Sequence, residues 1–204
     1  MSRGQRLVGL FLFVGATPVM ALVAAAIRAA MGPPVLFRQD RVGREGEVFS
    51  LVKFRTMRPR SDGGQSDNER LTRIGRFLRR TSLDELPTLW NVAAGDMVLV
   101  GPRPLLPEYT DRYDERQRIR LRVKPGITGW CQVRGRNSLG WDEKLALDTW
   151  YVEHRTWQLD LRILASTVAA VISGRDIAHA GQATMPEFRG CRRGGPRLPD
   201  TPPP

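Results

Sequence analysis

The densest run of chemistry-bearing side chains lies between Arg76 and Pro87, in the order Arg-Phe-Leu-Arg-Arg-Thr-Ser-Leu-Asp-Glu-Leu-Pro. Two adjacent carboxylates, Asp84 and Glu85, follow three guanidiniums. Guanidiniums match planar phosphate oxygens, and carboxylates hold a hard cation or attack phosphorus, so together they suggest phosphoryl transfer. The same letters admit a plainer reading. Ser82-Leu83-Asp84-Glu85 matches a helix capping box, with acidic side chains at a helix N-terminus and basic ones on a solvated face. Pro87 weighs against that cap, because in a helix begun at Ser82 it occupies an interior position and forfeits a backbone bond.

Other candidate groups are scattered. Arg103 sits between Pro102 and Pro104, which restrict the backbone and hold the guanidinium in place. Lys124-Pro125-Gly126-Ile127-Thr128-Gly129 has the ingredients of a phosphate nest, although it matches no P-loop or dinucleotide fingerprint. Lys53, Arg55 and Arg58 add positive charge nearby. With only His154 and His179, and with Cys131 and Cys191 far apart, zinc sites and histidine-based triads are unexpected and the thiols are expected reduced. Carboxylates and arginines must carry the chemistry.

The elements that position these groups belong to one domain, since 204 residues suffice for a single core. A net charge of +11 favours anionic partners: acidic lipid, phosphorylated small molecules or nucleic acid. Leu7 to Ile27 is uncharged and about the length of a membrane helix. Thr17-Pro18 at its middle predicts a kink, and arginines at both ends draw both ends toward the cytoplasm. A helix-break-helix hairpin and a tilted, kinked spanning helix both fit.

Short β-like runs follow, Pro34 to Arg38 and Glu47 to Phe54, joined by a turn at Val42 to Gly46. Ser61 to Asn68 is predicted to be a surface loop. Helices are expected over Leu71 to Arg80, Leu86 to Ala93, Leu106 to Leu121, Asp142 to His154 and Leu159 to Ile172, the last too short to span and suited to a core or a membrane surface. Trp141, Trp150, Tyr151 and Trp157 suit an interfacial belt or a core. From Gly174 onward Gly, Pro and Arg predict a disordered tail. The expected fold is α+β, mostly helical: a re-entrant or spanning membrane helix at 1–31, a cytosolic domain with a β-hairpin and interfacial helices at 32–174, and an extension at 175–204.

The motifs taken in order resemble the bacterial sugar transferases known as monotopic phosphoglycosyl transferases. The resemblance runs from about Gly32 to Gly174 through PVLFRQDRVGREGEVFSLVKFRTM, RIGRFLRRTSLDELPTLWNV, GDMVLVGPRPLLPEY, RVKPGITGWCQVRGRN and DTWYVEH…LDLRIL. It implies a nucleotide-diphosphate-sugar donor, usually a UDP-sugar, and a polyprenol phosphate acceptor such as undecaprenyl phosphate. It places the enzyme on the cytoplasmic face of the bacterial inner membrane, starting a polysaccharide or glycoconjugate, with no nucleic-acid partner. Carried over by motif, Asp84 is the nucleophile that takes up a phosphosugar and releases UMP, and Glu85 is a Mg2+ ligand. Arg79 and Arg103 hold phosphates, Asp160 contacts the donor or metal, and Lys53 and Arg55 form a basic motif near the site.

The resemblance also implies a broken re-entrant helix, with Thr17-Pro18 in place of the family's usual Ser-Pro. Two departures stand out. An acidic residue common after the first basic ones is replaced by Leu7-Val8, and Met97-Val98 replaces a common Met-Ser. Two other functions remain open on residue types: a non-enzymatic basic protein on anionic lipid or nucleic acid, and direct transfer with both carboxylates on metal. Donor specificity is expected in Ser61 to Asn68 and around Gly181 to Phe188.

Overall fold

A computed structural model describes residues 3–60, 65–135, 139–173 and 186–190. Helix α1 (Arg3–Met31) remains helical through Thr17 and Pro18, so the predicted break in the helix is not there. Pro18 removes one backbone donor, and the Thr17 hydroxyl donates to the Phe13 carbonyl at 3.1 Å one turn back. The helix is about 43 Å long at 1.5 Å per residue. It is the one described helix long and apolar enough to cross a membrane.

α1 lies against the rest of the domain along its whole length. Near its start Arg6 Nε donates to the Ala93 carbonyl at 3.2 Å, and Gly9 has no room for a side chain, since a Cβ there would lie 2.7 Å from Val92 Cγ1. Phe13 meets Trp90 at 5.7 Å between ring centroids. Met20, Val23 and Ile27 then enter a core with Phe54 and Leu78. At the far end Arg55 donates to the carbonyls of Met31, Gly32 and Pro33, which α1 itself cannot satisfy. The opposite face of α1 is bare and apolar, with Leu7, Phe11, Val14 and Leu22 exposed.

The predicted hairpin is present. Strands β1 (Leu36–Val42) and β2 (Val48–Phe54) pair antiparallel, with Leu36 opposite Phe54 and Val42 opposite Val48, around a 3-10 turn at Arg44–Gly46. Asp67 and Asn68, expected in a loop, belong instead to the short helix α2 (Asp67–Arg70), where Ser66 and Glu69 form a capping box. Residues 61–64 of that expected loop lie outside the described residues. α3 (Arg73–Arg80) follows as predicted.

The Leu86 to Ala93 helix is split into a 3-10 turn at Leu83–Thr88, which accommodates Pro87, and helix α4 (Leu89–Ala94). Strand β3 (Val98–Val100) pairs in parallel with β4 (Gly126–Thr128). Between them the single helix predicted at Leu106 to Leu121 is two 3-10 segments, Pro107–Arg112 and Gln117–Arg122. The Asp114 side chain captures the Gln117 amide at 2.8 Å, a local bond that competes with helix continuation.

Helices α5 (Trp130–Arg134), α6 (Trp141–His154) and α7 (Trp157–Ser173) close a second core of Val100, Trp130, Cys131, Leu147, Tyr151 and Ile163. The aromatic cluster divides accordingly. Tyr151 is buried, Trp150 stacks between Trp130 and His154, and Trp157 is left exposed. Cys131 is a buried free thiol, and Cys191 lies outside the described residues. The tail expectation also needs correction: 174–185 and 191–204 lie outside the described residues, but within 186–190 Phe188 is among the most buried side chains, packed with Tyr109, Tyr113 and Leu145.

Candidate active site

The turn that carries Asp84 and Glu85 is built by two local features. Ser82 adopts a left-handed conformation, φ 56°, and makes no side-chain cap bond, so the capping-box reading of Ser82 to Glu85 fails. The reversed backbone swings the chain off the end of α3 and sets the carboxylates beside the helix's last arginines. A serine accepts this conformation at a penalty of about 1–2 kcal/mol relative to glycine's freedom. Gly75 then lets α3 close onto the chain after β2, because a Cβ there would lie 1.9 Å from the Thr56 carbonyl oxygen. That approach brings Arg79 Nε within 3.1 Å of Thr56 Oγ1.

Five of the predicted site residues meet here. Lys53, on β2, donates to Glu85 Oε1 at 2.5 Å, and Arg103 Nη2 donates to the same oxygen at 3.1 Å. Asp84 is buried next to them, and among the described residues its carboxylate has no hydrogen bond or ion pair. Arg79 is the strongest charge acting on it after Glu85 and Lys53. The neighbouring carboxylates are thus differentiated. Burial works to raise the pKa of Glu85, but Lys53 and Arg103 outweigh it and draw it down to about 2. Burial and then the Glu85 charge push Asp84 up, with Lys53, Arg79 and Arg103 only partly offsetting them. Burial also presses the Lys53 ammonium below its ordinary value, against the pull of Glu85.

An open cleft of about 290 Å³ runs from Lys53, Glu85 and Arg103 along Arg41, Leu51, Thr88, Met97 and Ile127. Leu51, Lys53 and Arg41 share one face of the hairpin, as its alternation and register require. Asp84 and Arg79 lie beside this cleft rather than in its wall.

Other predicted residues have different partners. Arg55 is buried and committed to the end of α1. Asp160 accepts a hydrogen bond from Tyr151 Oη at 2.6 Å, and that hydroxyl also reaches the Val100 carbonyl at 3.3 Å, so Asp160 connects to the Arg103 loop at one remove. The nest expected at Lys124 to Gly129 is corrected: the Gly126 amide donates to Pro102 O at 3.0 Å, and Lys124 Nζ binds the Gly95 carbonyl.

The sequence reading overlooked Arg41, whose pKa burial and Arg103 lower to about 10, and Arg120, which binds Asp148 at 2.7 Å in the interior. In sequence Arg41 does not stand out from Arg38 and Arg44, the other arginines that follow the apolar segment. Arg120 lies in QRIRLR, where nothing separates it from a solvated face.

A hard cation takes oxygen ligands, and Mg2+ commonly uses only one or two carboxylates together with substrate phosphates. No cluster of three metal-ligating side chains occurs among the described residues. Glu85 fits the sparser mode: both its bonds fall on Oε1, and Oε2 has no partner among the described residues.

Residues 4–174 match the family model described as bacterial sugar transferase, and the chain belongs to that family. It is therefore a transferase of the phosphoglycosyl class. It is 44% identical over 184 residues to an uncharacterized sugar transferase, EpsL, of Bacillus subtilis, covering 89% of this chain and 91% of that one. It is 40% identical over 168 residues to the undecaprenyl-phosphate galactose phosphotransferase of Salmonella typhimurium, covering 72% of this chain but 35% of that longer protein. With the UDP-glucose:undecaprenyl-phosphate glucose-1-phosphate transferase of Caulobacter vibrioides it shares 41% identity over 172 residues, 76% of this chain and 63% of that protein.

Proposed function

We propose that the protein moves a sugar-1-phosphate from a UDP-sugar to undecaprenyl phosphate through a phosphosugar held on Asp84, as the first membrane step of a polysaccharide or glycoconjugate. The observation that carries this reading is the unequal pair: Glu85 is neutralised by Lys53 and Arg103, while Asp84 is buried, has no hydrogen bond or ion pair among the described residues, and feels the charge of Arg79. An Asp84 oxygen attacks the sugar-linked phosphorus, the bond from that phosphorus to the bridging oxygen breaks, and UMP departs with the electron pair. An oxygen of the lipid phosphate then attacks the same phosphorus, the aspartyl bond breaks, and Asp84 is restored with release of the polyprenyl diphospho-sugar. Arg79 and Arg103 bind phosphate oxygens and stabilise the charge that shifts toward UMP. Magnesium, when bound, would be held by Glu85 and would supply further positive charge to the site.

On the same reading α1 lies along the domain with its bare apolar face in the cytoplasmic leaflet and both ends on the domain's side. Both its ends bind one folded domain, Arg6 at Ala93 and Met31 at Arg55, and its bare apolar face needs a nonpolar surround. The names of the Salmonella and Caulobacter relatives support an undecaprenyl phosphate acceptor and leave glucose and galactose donors both to be tried. The test is to supply detergent-extracted protein with labelled UDP-glucose or UDP-galactose, undecaprenyl phosphate and Mg2+. Organic-extractable label with equimolar UMP supports the reading. Free sugar phosphate without labelled lipid would contradict it.

A further inference from the structure

Beyond the residues matched by the family model, residues 186–189 lie as a strap across the 3-10 segment Pro107–Arg112 and helix α6. Three contacts fasten it. Trp141 Nε1 donates to the Pro186 carbonyl at 3.0 Å, Arg112 pairs with Glu187 at 2.7 Å, and Arg112 also donates to the Phe188 carbonyl. The Phe188 ring, 1% exposed, fills a socket of Tyr109, Tyr113 and Trp141, with centroids 5.4 to 5.9 Å away. Nothing in the chemistry assigned to the cleft uses this strap.

Its contacts nevertheless continue into the site. Tyr113 Oη accepts from Arg120 Nη1 at 3.1 Å. Arg120 Nη2 donates to the Arg103 carbonyl at 2.6 Å and to Asp148 at 2.7 Å. Arg103 in turn holds Glu85. Arg120 is 4% exposed and cannot meet a substrate, so its guanidinium serves the backbone of Arg103. We propose that Phe188 is a positioning residue for Arg103: seated on Tyr113, it fixes Arg120, and Arg120 sets the loop from which Arg103 reaches the diphosphate. The inference rests on Arg103 being a phosphate-binding group.

The test uses the full chain in nanodiscs with labelled arginine, and inorganic pyrophosphate as the anion probe. The Arg103 guanidinium NMR signal is assigned by its loss in Arg103→Ala. Phe188→Ala should shift or broaden that signal and weaken pyrophosphate binding about tenfold, since small misplacements of a binding group have effects of that order or larger. Phe188→Leu should largely restore both. In an Arg103→Ala background Phe188→Ala should weaken binding no further.

An unchanged Arg103 signal with only a lower Tm, or equal losses with and without Arg103, would overturn the proposal. If Phe188→Ala does not fold, Glu187→Ala loosens the strap through an exposed ion pair, and a shifted Arg103 signal supports the proposal while an unshifted one refutes it. The signal requires no turnover. A wild-type protein inactive on every UDP-sugar would therefore refute sugar-phosphate transfer and leave the strap still decidable.

Discussion

Lys53 Nζ lies 2.5 Å from Glu85 Oε1, on a strand and a turn 32 residues apart in sequence. This contact ties the hairpin to the Leu83–Thr88 turn and leaves Asp84, the preceding residue, as the carboxylate without a hydrogen bond or ion pair among the described residues. Lys53→Met should therefore leave Glu85 in a largely buried position with Arg103 as its remaining partner, at a stability loss of about 3 kcal/mol. Donor turnover should fall with it. Denaturant unfolding and UMP release measured together check both effects.

Asp84 should be a liability for stability. Its folded pKa is raised, so above that value the ionised carboxylate destabilises the native state, and below the unfolded value the effect disappears. Asp84→Asn should raise Tm at pH 7 relative to wild type, with the difference vanishing in acid, while turnover falls at least about a thousandfold. A lowered Tm at pH 7 would show that Asp84 makes stabilising contacts.

Glu85 has the opposite sign. Its folded pKa of about 2 lies below the ordinary 4.5, so its contribution is present above the unfolded value and is lost as pH falls toward about 2. Stability of wild type should drop across that window, and Glu85→Gln should flatten the drop. Tm measured against pH for the two proteins decides it.

Gly75→Ala should push α3 away from Thr56, whose carbonyl oxygen cannot retreat from a Cβ at 1.9 Å. A loss of about 1–3 kcal/mol is expected from overpacking, together with weaker phosphate binding because Arg79 leaves Thr56. Denaturation midpoints and pyrophosphate titration would register the two effects.

Asn91 binds the Val52 amide and the Ser50 carbonyl of β2. Asn91→Ala leaves the Val52 amide without that partner in a buried place and the Ser50 carbonyl without it in a partly buried one, and should lose about 2 kcal/mol. Urea unfolding checks this.

Much of the arrangement was legible because short-range rules govern it. The short β-like runs joined by a glycine-containing turn give the hairpin, and the helices at Arg73–Arg80, Trp141–His154 and Trp157–Ser173 follow from pattern and length. The carboxylate pair was visible as a motif, yet residue types alone left it open to reading as a helix cap. The left-handed Ser82 that removes the cap is a conformation that residue type does not announce, since a non-glycine residue rarely adopts it. Arg55 and Lys53, two residues apart, look equivalent in sequence. One caps α1 and the other holds Glu85 because the strand's twofold alternation is overridden where β2 ends at Phe54. Phe188 was concealed by its Gly- and Arg-rich surroundings, since its socket comes from residues more than forty positions away.

The most direct measurement is the mass of the intact protein after exposure to a UDP-sugar and Mg2+ with no lipid present. Addition of one sugar phosphate, with matching UMP release, mapped to the peptide containing Asp84 and absent in Asp84→Asn, is the predicted result. Turnover that requires undecaprenyl phosphate, with the protein mass unchanged throughout, would contradict the covalent account.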